Sequence, residues 1–290
     1  MSIFQCIPNF STCSKSVITE IKKAIECYAD VRDFSFDTDH NRSVITFVGN
    51  AEEIKSAVLA SAKIAIEKID LRSHKGVHPR IGAVDVIPVV PVFGSPMSEA
   101  VDLSYEIGYL ISGLGLPVYF YENSAKNKEY TFLENIRKGG FEYLMKDSSC
   151  RVPDIGNKIH PNAGAVAIGA RQPLVAYNVN LNTTDVEIAK KIAGEIRVLR
   201  KSGDLKMEGI KAIGLLLKSS NIIQVSTNIT RPAKTGVYEV FEYISSRAKD
   251  FGTSVKNSEL IGVIPDSIAS DIIKKALKFD DFTPKRILFK

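Results

Sequence analysis

The spacing of apolar residues changes along the chain between helix-like and strand-like patterns. Apolar positions that share one face at helical spacing predict helices at 14–28, 51–70, 98–112, 130–137, 185–199, 237–249 and 267–279. Short β-rich apolar runs predict strands at 3–8, 31–36, 43–48, 84–92, 118–121, 165–170, 174–179, 210–217, 222–227 and 260–264. Because helices and strands are mixed along the whole length, the pattern predicts an α/β fold.

Two stretches follow neither period. Residues 71–82 contain Gly76, Pro79 and Gly82, which interrupt any regular helix or strand. Residues 147–162 are polar, and a loop of this length is often functional. We therefore look for chemistry in these two stretches.

Two prolines interrupt one of the predicted strands. Pro88 and Pro91 lie within 84–92, where they cannot donate a backbone hydrogen bond. They predict that this strand lies at a sheet edge or contains a bulge.

The chain has no Gly-, Ser- or Pro-rich linker, although both of its halves mix helices and strands. This pattern predicts two closely packed α/β (α+β) subdomains with mixed sheets and outer helices, at 1–173 and 174–290.

Composition narrows the class of protein. The 290 residues are 44% hydrophobic and 24% charged, as in an average globular protein. No apolar run approaches the ~20 residues of a membrane span, so we expect no membrane partner. The net charge of +5 is not arranged as a basic stripe with aromatic residues, so we expect no nucleic-acid partner. A modest positive charge fits anionic small molecules.

The four cysteines are scattered and form no C-x-x-C pair. The first residues also lack the basic and apolar regions of a signal peptide. These features predict free thiols in a reducing compartment, and hence a cytoplasmic protein.

Histidines in the first irregular stretch are the best candidates for proton transfer. His74 and His78 are four residues apart, but Gly76 and Pro79 disfavour the helix that would bring them together as metal ligands. We therefore predict no metal site. The alternative interpretation is a polar turn before a strand.

The residues around His78 favour a positioned acid or base. Pro79 restricts the backbone of the residue before it. Arg80 supplies a fixed positive charge suited to a carboxylate, and Asp85 can orient a histidine or accept from a backbone N–H. The alternative is a turn in which Arg80 forms an ion pair with another strand.

Motifs of three common enzyme classes are missing from the sequence. There is no G-x-G-x-x-G after a strand, no Walker A motif and no G-x-S-x-G. Dinucleotide-binding, P-loop and serine-hydrolase functions are therefore unsupported.

Several motifs, taken in order, resemble the formiminotransferase domain of glutamate formiminotransferases. Residues 6–11 read C-I-P-N-F-S, 41–49 read N-R-S-V-I-T-F-V-G, and 74–85 read H-K-G-V-H-P-R-I-G-A-V-D. Further matches lie at 118–121, 169–171, 178–181 and 224–228. The resemblance spans essentially the whole chain.

The resemblance implies transfer of the formimino group from N-formimino-L-glutamate to tetrahydrofolate, or to its polyglutamate form, in histidine degradation. It implies two α/β subdomains with a ligand tunnel between them, and a homodimer. The family's catalytic histidine falls on His78. Its folate-binding segment falls on Gly156, Asn157, Lys158, Ile159, His160, Pro161, Asn162, Ala163 and Gly164.

Charge adds candidate ligands for the carboxylates of the donor, namely Arg80 or Arg42. Two alternatives remain open. The family usually continues P-N-F-S with Glu-Gly-Arg/Lys, whereas this chain has Thr-Cys-Ser-Lys at 12–15, which favours a catalytically weak folate-binding homologue. Formyl transfer from N-formylglutamate is the other, since no residue pattern separates the two donors.

Overall fold

A computed structural model of the chain describes residues 1–38, 40–76, 79–146, 151–204, 206–217, 220–232 and 234–287. The chain divides into two compact units, Met1–Gln172 and Pro173–Lys290, and each unit has its own hydrophobic core. Both units combine helices with a sheet, which confirms the predicted α/β class. None of the helices in these ranges is both long and apolar enough to cross a membrane.

The first unit alternates strands and helices. Its strands are β1 (Ile3–Cys6), β2 (Asn9–Phe10), β3 (Asp30–Asp37), β4 (Arg42–Gly49), β5 (Val84–Val92), β6 (Val118–Phe120) and β7 (Val166–Ala170). Its α-helices are α1 (Lys15–Glu26), α2 (Ala51–Lys68), α3 (Met97–Ser112), α4 (Leu133–Arg137) and α5 (Gly140–Lys146). The sequence pattern contains no signal for α5.

Within the described residues, the seven strands of this unit form one sheet in the order β3, β4, β1 with β2, β5, β7 and β6. β1 and β2 share one position, because both pair with β4 on one side and β5 on the other. β7 runs parallel to β5 and β6, and the other pairs are antiparallel.

Because β5 lies inside the sheet, the predicted edge position for Pro88 and Pro91 is wrong. The carbonyl of Pro88 accepts a hydrogen bond from Ile7 N (3.2 Å), in the interruption between β1 and β2. The N and C=O of one residue face the same neighbour in an antiparallel pair, so the proline nitrogen faces this interruption too. The ladder is already broken there, and a missing donor costs little.

A β-bulge does occur in β5, but at Asp85 rather than at a proline. Asn9 pairs with Val86, whereas the next residue of β2, Phe10, pairs with Val84. Asp85 is therefore the extra residue. Bulges redirect side chains and are common beside active sites.

Helix α2 shows how the sequence fixes a boundary. Asn50 caps it by accepting from the backbone N–H groups of Glu52 (3.0 Å) and Glu53 (3.1 Å). Glu53 completes the capping box by accepting from Asn50 N (2.8 Å). The helix then buries an apolar stripe against the core, formed by Ile54, Ala57, Val58, Ala62 and Ala65.

Helices α1, α2 and α3 cover one face of the sheet. Tyr105 of α3 meets Phe120 edge to face, with ring centroids 4.8 Å apart. The adjacent residue, Tyr119, points to the opposite face, where its ring meets Tyr130 at 5.5 Å.

The face opposite α1–α3 carries polar side chains, and we call it the polar face. Residues paired in register share a face, and side chains alternate along each strand. The pairs Gln5 with Val90, Asn9 with Val86, and Gly169 with Pro88 fix the set. It includes Gln5, Asn9, Arg42, Thr46, Tyr121 and Arg171.

The helix predicted at 130–137 is divided in the structure. A 3₁₀ turn at Lys128–Thr131 precedes α4, and Phe132 between them is extended (φ −101°, ψ 122°). This break sets the direction of α4, whose last residue is Arg137.

The second unit is an antiparallel sheet with helices packed against it. Its strands are β8 (Val175–Leu181), β9 (Ile210–Leu217), β10 (Ile222–Ile229) and β11 (Val255–Ile261), and its helices are α6 (Val186–Lys201), α7 (Val237–Asp250) and α8 (Asp266–Leu277). The strand order is β11, β8, β10, β9. The strand predicted at 260–264 begins five residues too late, because β11 starts with the mostly exposed polar run at Val255.

Candidate active site

The segment that contains His78 is the natural starting point for the site. His78 itself, like Val77, lies outside the described residues. The residues on both sides of it are described, and their contacts show what anchors these flanking residues.

Asn41 joins the N-terminal side of this segment to two other motifs. Its side-chain oxygen accepts from Cys13 N (2.9 Å), and its amide nitrogen donates to the carbonyl of Lys75 (2.9 Å). Its own carbonyl oxygen lies 2.9 Å from Nε2 of His74. At Gly76, a Cβ would lie 2.4 Å from the carbonyl oxygen of His40, so only glycine fits.

The His74 side chain takes part in these contacts in its neutral form. A carbonyl oxygen only accepts, so Nε2 of His74 carries the proton donated to Asn41. Burial, and to a smaller extent the charge of Arg80, lowers the pKa of His74. The imidazole is therefore uncharged at neutral pH.

Arg80 holds the other side of the segment. Its Nη2 lies 2.7 Å from Oε1 of Glu142 on α5, and its side chain is only 10% exposed. Its carbonyl also accepts from Phe141 N (2.8 Å). The structure thus has Arg80 in an ion pair, as the alternative to a free carboxylate ligand expects, but the partner lies on helix α5 and not on a strand.

Hydrogen bonds join the residues after Arg80 to the N-terminal motif and to the loop before β7. Ser11 Oγ donates to the carbonyl of Gly82 (2.6 Å), and Ser11 N donates to the carbonyl of Ala83 (2.9 Å). On its other side, Ala83 N donates to the carbonyl of Ala163 (2.9 Å). Three motifs that are far apart in sequence therefore meet here.

Asp85, the bulged residue, connects this segment to α4. Its Oδ1 accepts from Ile81 N at 2.7 Å, which is one of the two roles predicted for it. Its Oδ2 accepts from Nη2 of Arg137 in a close ion pair. The Asp85 side chain is 3% exposed and that of Arg137 is 15% exposed, so this is a buried charge with a partly buried partner.

Arg42 lies on the polar face beside this pair. Its Nε donates to Oδ1 of Asn9 (2.8 Å), and its Nη2 contacts the same oxygen. Burial, followed by the charge of Arg137, lowers the pKa of Arg42 to about 10, while Asp85 and Asp37 act in the opposite direction. The charges of both members of the Asp85–Arg137 pair therefore act on Arg42.

Tyr121 and Arg171 extend the polar face. A Cβ at Gly169 would lie 2.7 Å from the Tyr121 ring, which shows how closely the ring covers that glycine. Burial raises the pKa of Tyr121 to about 12, although Arg171 and Arg137 favour its ionised form. Burial also lowers the pKa of Arg171, which hydrogen-bonds to Tyr121. The tyrosine is therefore neutral at physiological pH, and its oxygen accepts from Arg171.

The predicted folate segment forms a loop next to these anchors. His160 and Gly164 exchange backbone hydrogen bonds of 3.0 and 2.9 Å, and Nδ1 of His160 accepts from Ala163 N (3.0 Å). Gly156 and Gly164 have φ values of 83° and 73°, which favour glycine. Asn157 and Lys158 are exposed at the tip of this loop.

The sequence pattern does not indicate Arg137 as a site residue. It lies 52 positions from Asp85, in a short helix with an ordinary composition. In the sequence, Asp85 is a charged residue within an otherwise apolar strand, and this is the one signal that it has a distant cationic partner. In the described part of the chain, no three His, Cys, Asp or Glu side chains converge as a metal site.

Two family models match this chain, one in each half. The family model described as the N-terminal subdomain of the formiminotransferase domain matches residues 3–171, and the formiminotransferase domain model matches 176–279. The chain is 38% identical to the glutamate formimidoyltransferase of Thermoplasma acidophilum, covering 99% of this chain and 96% of that relative.

Two further relatives agree. Identity is 40% with the glutamate formimidoyltransferase of Streptococcus pyogenes serotype M1, covering 97% of this chain and 95% of the relative. It is 36% with the formimidoyltransferase-cyclodeaminase of Gallus gallus, covering 95% of this chain and 52% of that relative. With both models matched in order and relatives aligned over nearly its full length, the chain belongs to the formiminotransferase domain family.

Proposed function

We propose that this chain is a glutamate formimidoyltransferase, which moves the formimino group of N-formimino-L-glutamate to N5 of tetrahydrofolate. The observation that carries the proposal is the pair of Arg137 with Asp85, which also accepts from Ile81 N, three positions after His78, and whose charges act on Arg42 of the polar face. Positive charge at this place suits a donor with two carboxylates. The relatives that share nearly the whole chain carry the same activity in their names.

The reaction breaks one N–H bond and one C–N bond and forms one of each. N5 of the folate attacks the formimino carbon, which forms a tetrahedral intermediate, and N5 loses its proton. The bond from that carbon to the glutamate nitrogen then breaks, and this nitrogen gains a proton. The products are 5-formimino-tetrahydrofolate and L-glutamate.

One group that takes the first proton and gives the second satisfies this chemistry, and we assign that role to His78. A positioned histidine typically contributes ~10²–10⁴-fold. Support comes from its neighbours: Lys75 and Gly76 are fixed by contacts with Asn41 and His40, and Arg80 is fixed by Glu142. These contacts anchor the described residues on either side of His78.

We assign folate binding to 156–164. The turn at His160 and Gly164 presents Asn157 and Lys158 to solvent, where the lysine is available to the glutamyl tail of the folate. We further propose that the protein acts as a cytoplasmic homodimer in histidine degradation.

The test is formimino transfer by the purified protein, followed spectrophotometrically with tetrahydrofolate and each donor in turn. We expect turnover with formiminoglutamate, and a loss of at least ~100-fold in His78→Asn, which keeps the size of the side chain. Thermal unfolding of both proteins controls for folding. Near-normal turnover in a folded His78→Asn variant contradicts the assignment.

The two alternatives have their own outcomes in the same assay. Saturable folate binding without product from either donor indicates a catalytically weak homologue, for which the altered loop at 12–15 is the reason. Product from N-formylglutamate alone indicates formyl transfer.

A further inference from the structure

Arg137 occupies a position that the surrounding structure fixes from several directions. Arg151, which is 8% exposed, donates to the carbonyl oxygens of Ile136 and of Lys138, the latter at 2.6 Å. These two carbonyls flank Arg137. Arg151 is held in turn, because its own carbonyl accepts from Tyr119 Oη (2.8 Å).

The guanidinium group of Arg137 has spare capacity. One Nη contacts Asp85, while Nε is buried and has no hydrogen-bond partner among the described residues. A buried N–H without a partner is costly, and guanidinium groups have five donors. The arrangement leaves donors available for an anionic oxygen.

Nε of Arg42 donates to the neutral side-chain amide of Asn9, and its Nη2 contacts the same oxygen. Asp85 pairs directly with Arg137, and its charge also acts on Arg42. Asp37 acts on Arg42 as well, through its charge. By contrast, Arg80 already has its carboxylate in Glu142.

We propose that Arg42 and Arg137 together bind one carboxylate of the formimino donor, and that Asp85 is a positioning residue for both the ligand and the catalytic segment. This inference rests on the proposed function. Asp85 holds Arg137 with one oxygen and Ile81 N with the other. The same carboxylate thereby joins the arginine that binds the donor to Ile81, three positions after His78.

A structural role for Arg137 is the competing explanation, and a double variant separates the two. In Arg137→Gln alone, the buried Asp85 carboxylate loses its partner, which by itself harms the fold. In Asp85→Asn with Arg137→Gln, both members of the pair lose their charge, Arg42 keeps the influence of Asp37, and the asparagine oxygen still accepts from Ile81 N. The double variant therefore regains stability under either explanation.

The readout is KM for formiminoglutamate against KM for tetrahydrofolate. If Arg137 binds the donor, donor KM rises ~10–100-fold in Arg137→Gln and in the double variant, as expected for losing a hydrogen-bonded charge, while folate KM stays within about twofold. Arg137→Lys keeps the positive charge but loses the bidentate hydrogen bonding of a guanidinium group, and we expect a smaller rise in donor KM. Arg32→Gln, an exposed arginine paired with Asp30, is the matched control.

Wild-type donor KM in the stable double variant overturns the inference. Binding of L-glutamate, which is the product and carries both carboxylates, separates this failure from failure of the proposed function. Calorimetric glutamate binding that weakens in Arg137→Gln supports the carboxylate site even without transfer. Transfer by the wild type with glutamate binding unchanged in the variant contradicts the site alone.

Discussion

Gly82 allows the segment after His78 to approach the loop before β7, and replacing it tests this packing. A Cβ at position 82 would lie 1.9 Å from the carbonyl oxygen of Ala165 and 2.6 Å from that of Val84. Both atoms belong to the backbone, so no side-chain rotation relieves the clash. The Gly82→Ala variant must separate the two segments or distort both.

The cost follows from the hydrogen bonds around this contact. Ala83 N donates to the carbonyl of Ala163, and Ala165 N donates to the carbonyl of Ile81, each at 2.9 Å. Losing two such bonds costs about 2 kcal/mol. Overpacking typically adds about 1–3 kcal/mol, so we expect the free energy of unfolding to fall by about 3–5 kcal/mol.

Urea unfolding of Gly82→Ala measures this change, and the transfer assay shows whether the displaced segment also lowers kcat. Gly194→Ala is the matched control, because its Cβ would meet only the end of Arg197 at 3.7 Å within α6. A glycine-to-alanine change in a helix stabilises by up to about 1 kcal/mol. Wild-type stability and turnover in Gly82→Ala would refute the close packing of these two segments.

Two further predictions concern titratable groups. Cys6 is buried, which raises the pKa of its thiol, whereas Cys27 is exposed. A thiol reagent should therefore modify Cys27 in the native protein and reach Cys6 only on unfolding. Fast labelling of Cys6 in the native protein contradicts this prediction. Burial also raises the pKa of Asp154 above its ordinary value of 3.8, so its contribution to stability is lost as pH rises through the raised pKa. Asp154→Asn should therefore be more stable than the wild type at pH 7 and equal to it below pH 3.8; equal stability at both pH values contradicts the prediction.

Much of the fold follows from local sequence patterns. Helices with a clear apolar stripe and a cap, such as α2 with Asn50, lie where the pattern predicts them. The edge position expected for β5 is wrong because Pro88 is accommodated by an interruption in the neighbouring strand, and no local pattern contains that information. β11 begins earlier than expected because its first residues are exposed and polar.

The site is predictable only in part, because some of its contacts join residues that are far apart in sequence. Motifs identify His78, Arg80 and Arg42 as candidates, since their chemistry is visible in the sequence. The ion pair that commits Arg80 to Glu142, and the pair that brings Arg137 to Asp85, join residues more than 50 positions apart. Such partners depend on tertiary packing, which periodicity does not encode.

The central claim is that this chain transfers the formimino group to tetrahydrofolate. Its most direct test uses formiminoglutamate labelled with ¹³C at the formimino carbon, incubated with the purified protein and tetrahydrofolate and followed by NMR. We predict that the label appears in 5-formimino-tetrahydrofolate while an equimolar amount of L-glutamate is released. Label that remains in the donor, under conditions in which the protein binds folate, would contradict the claim.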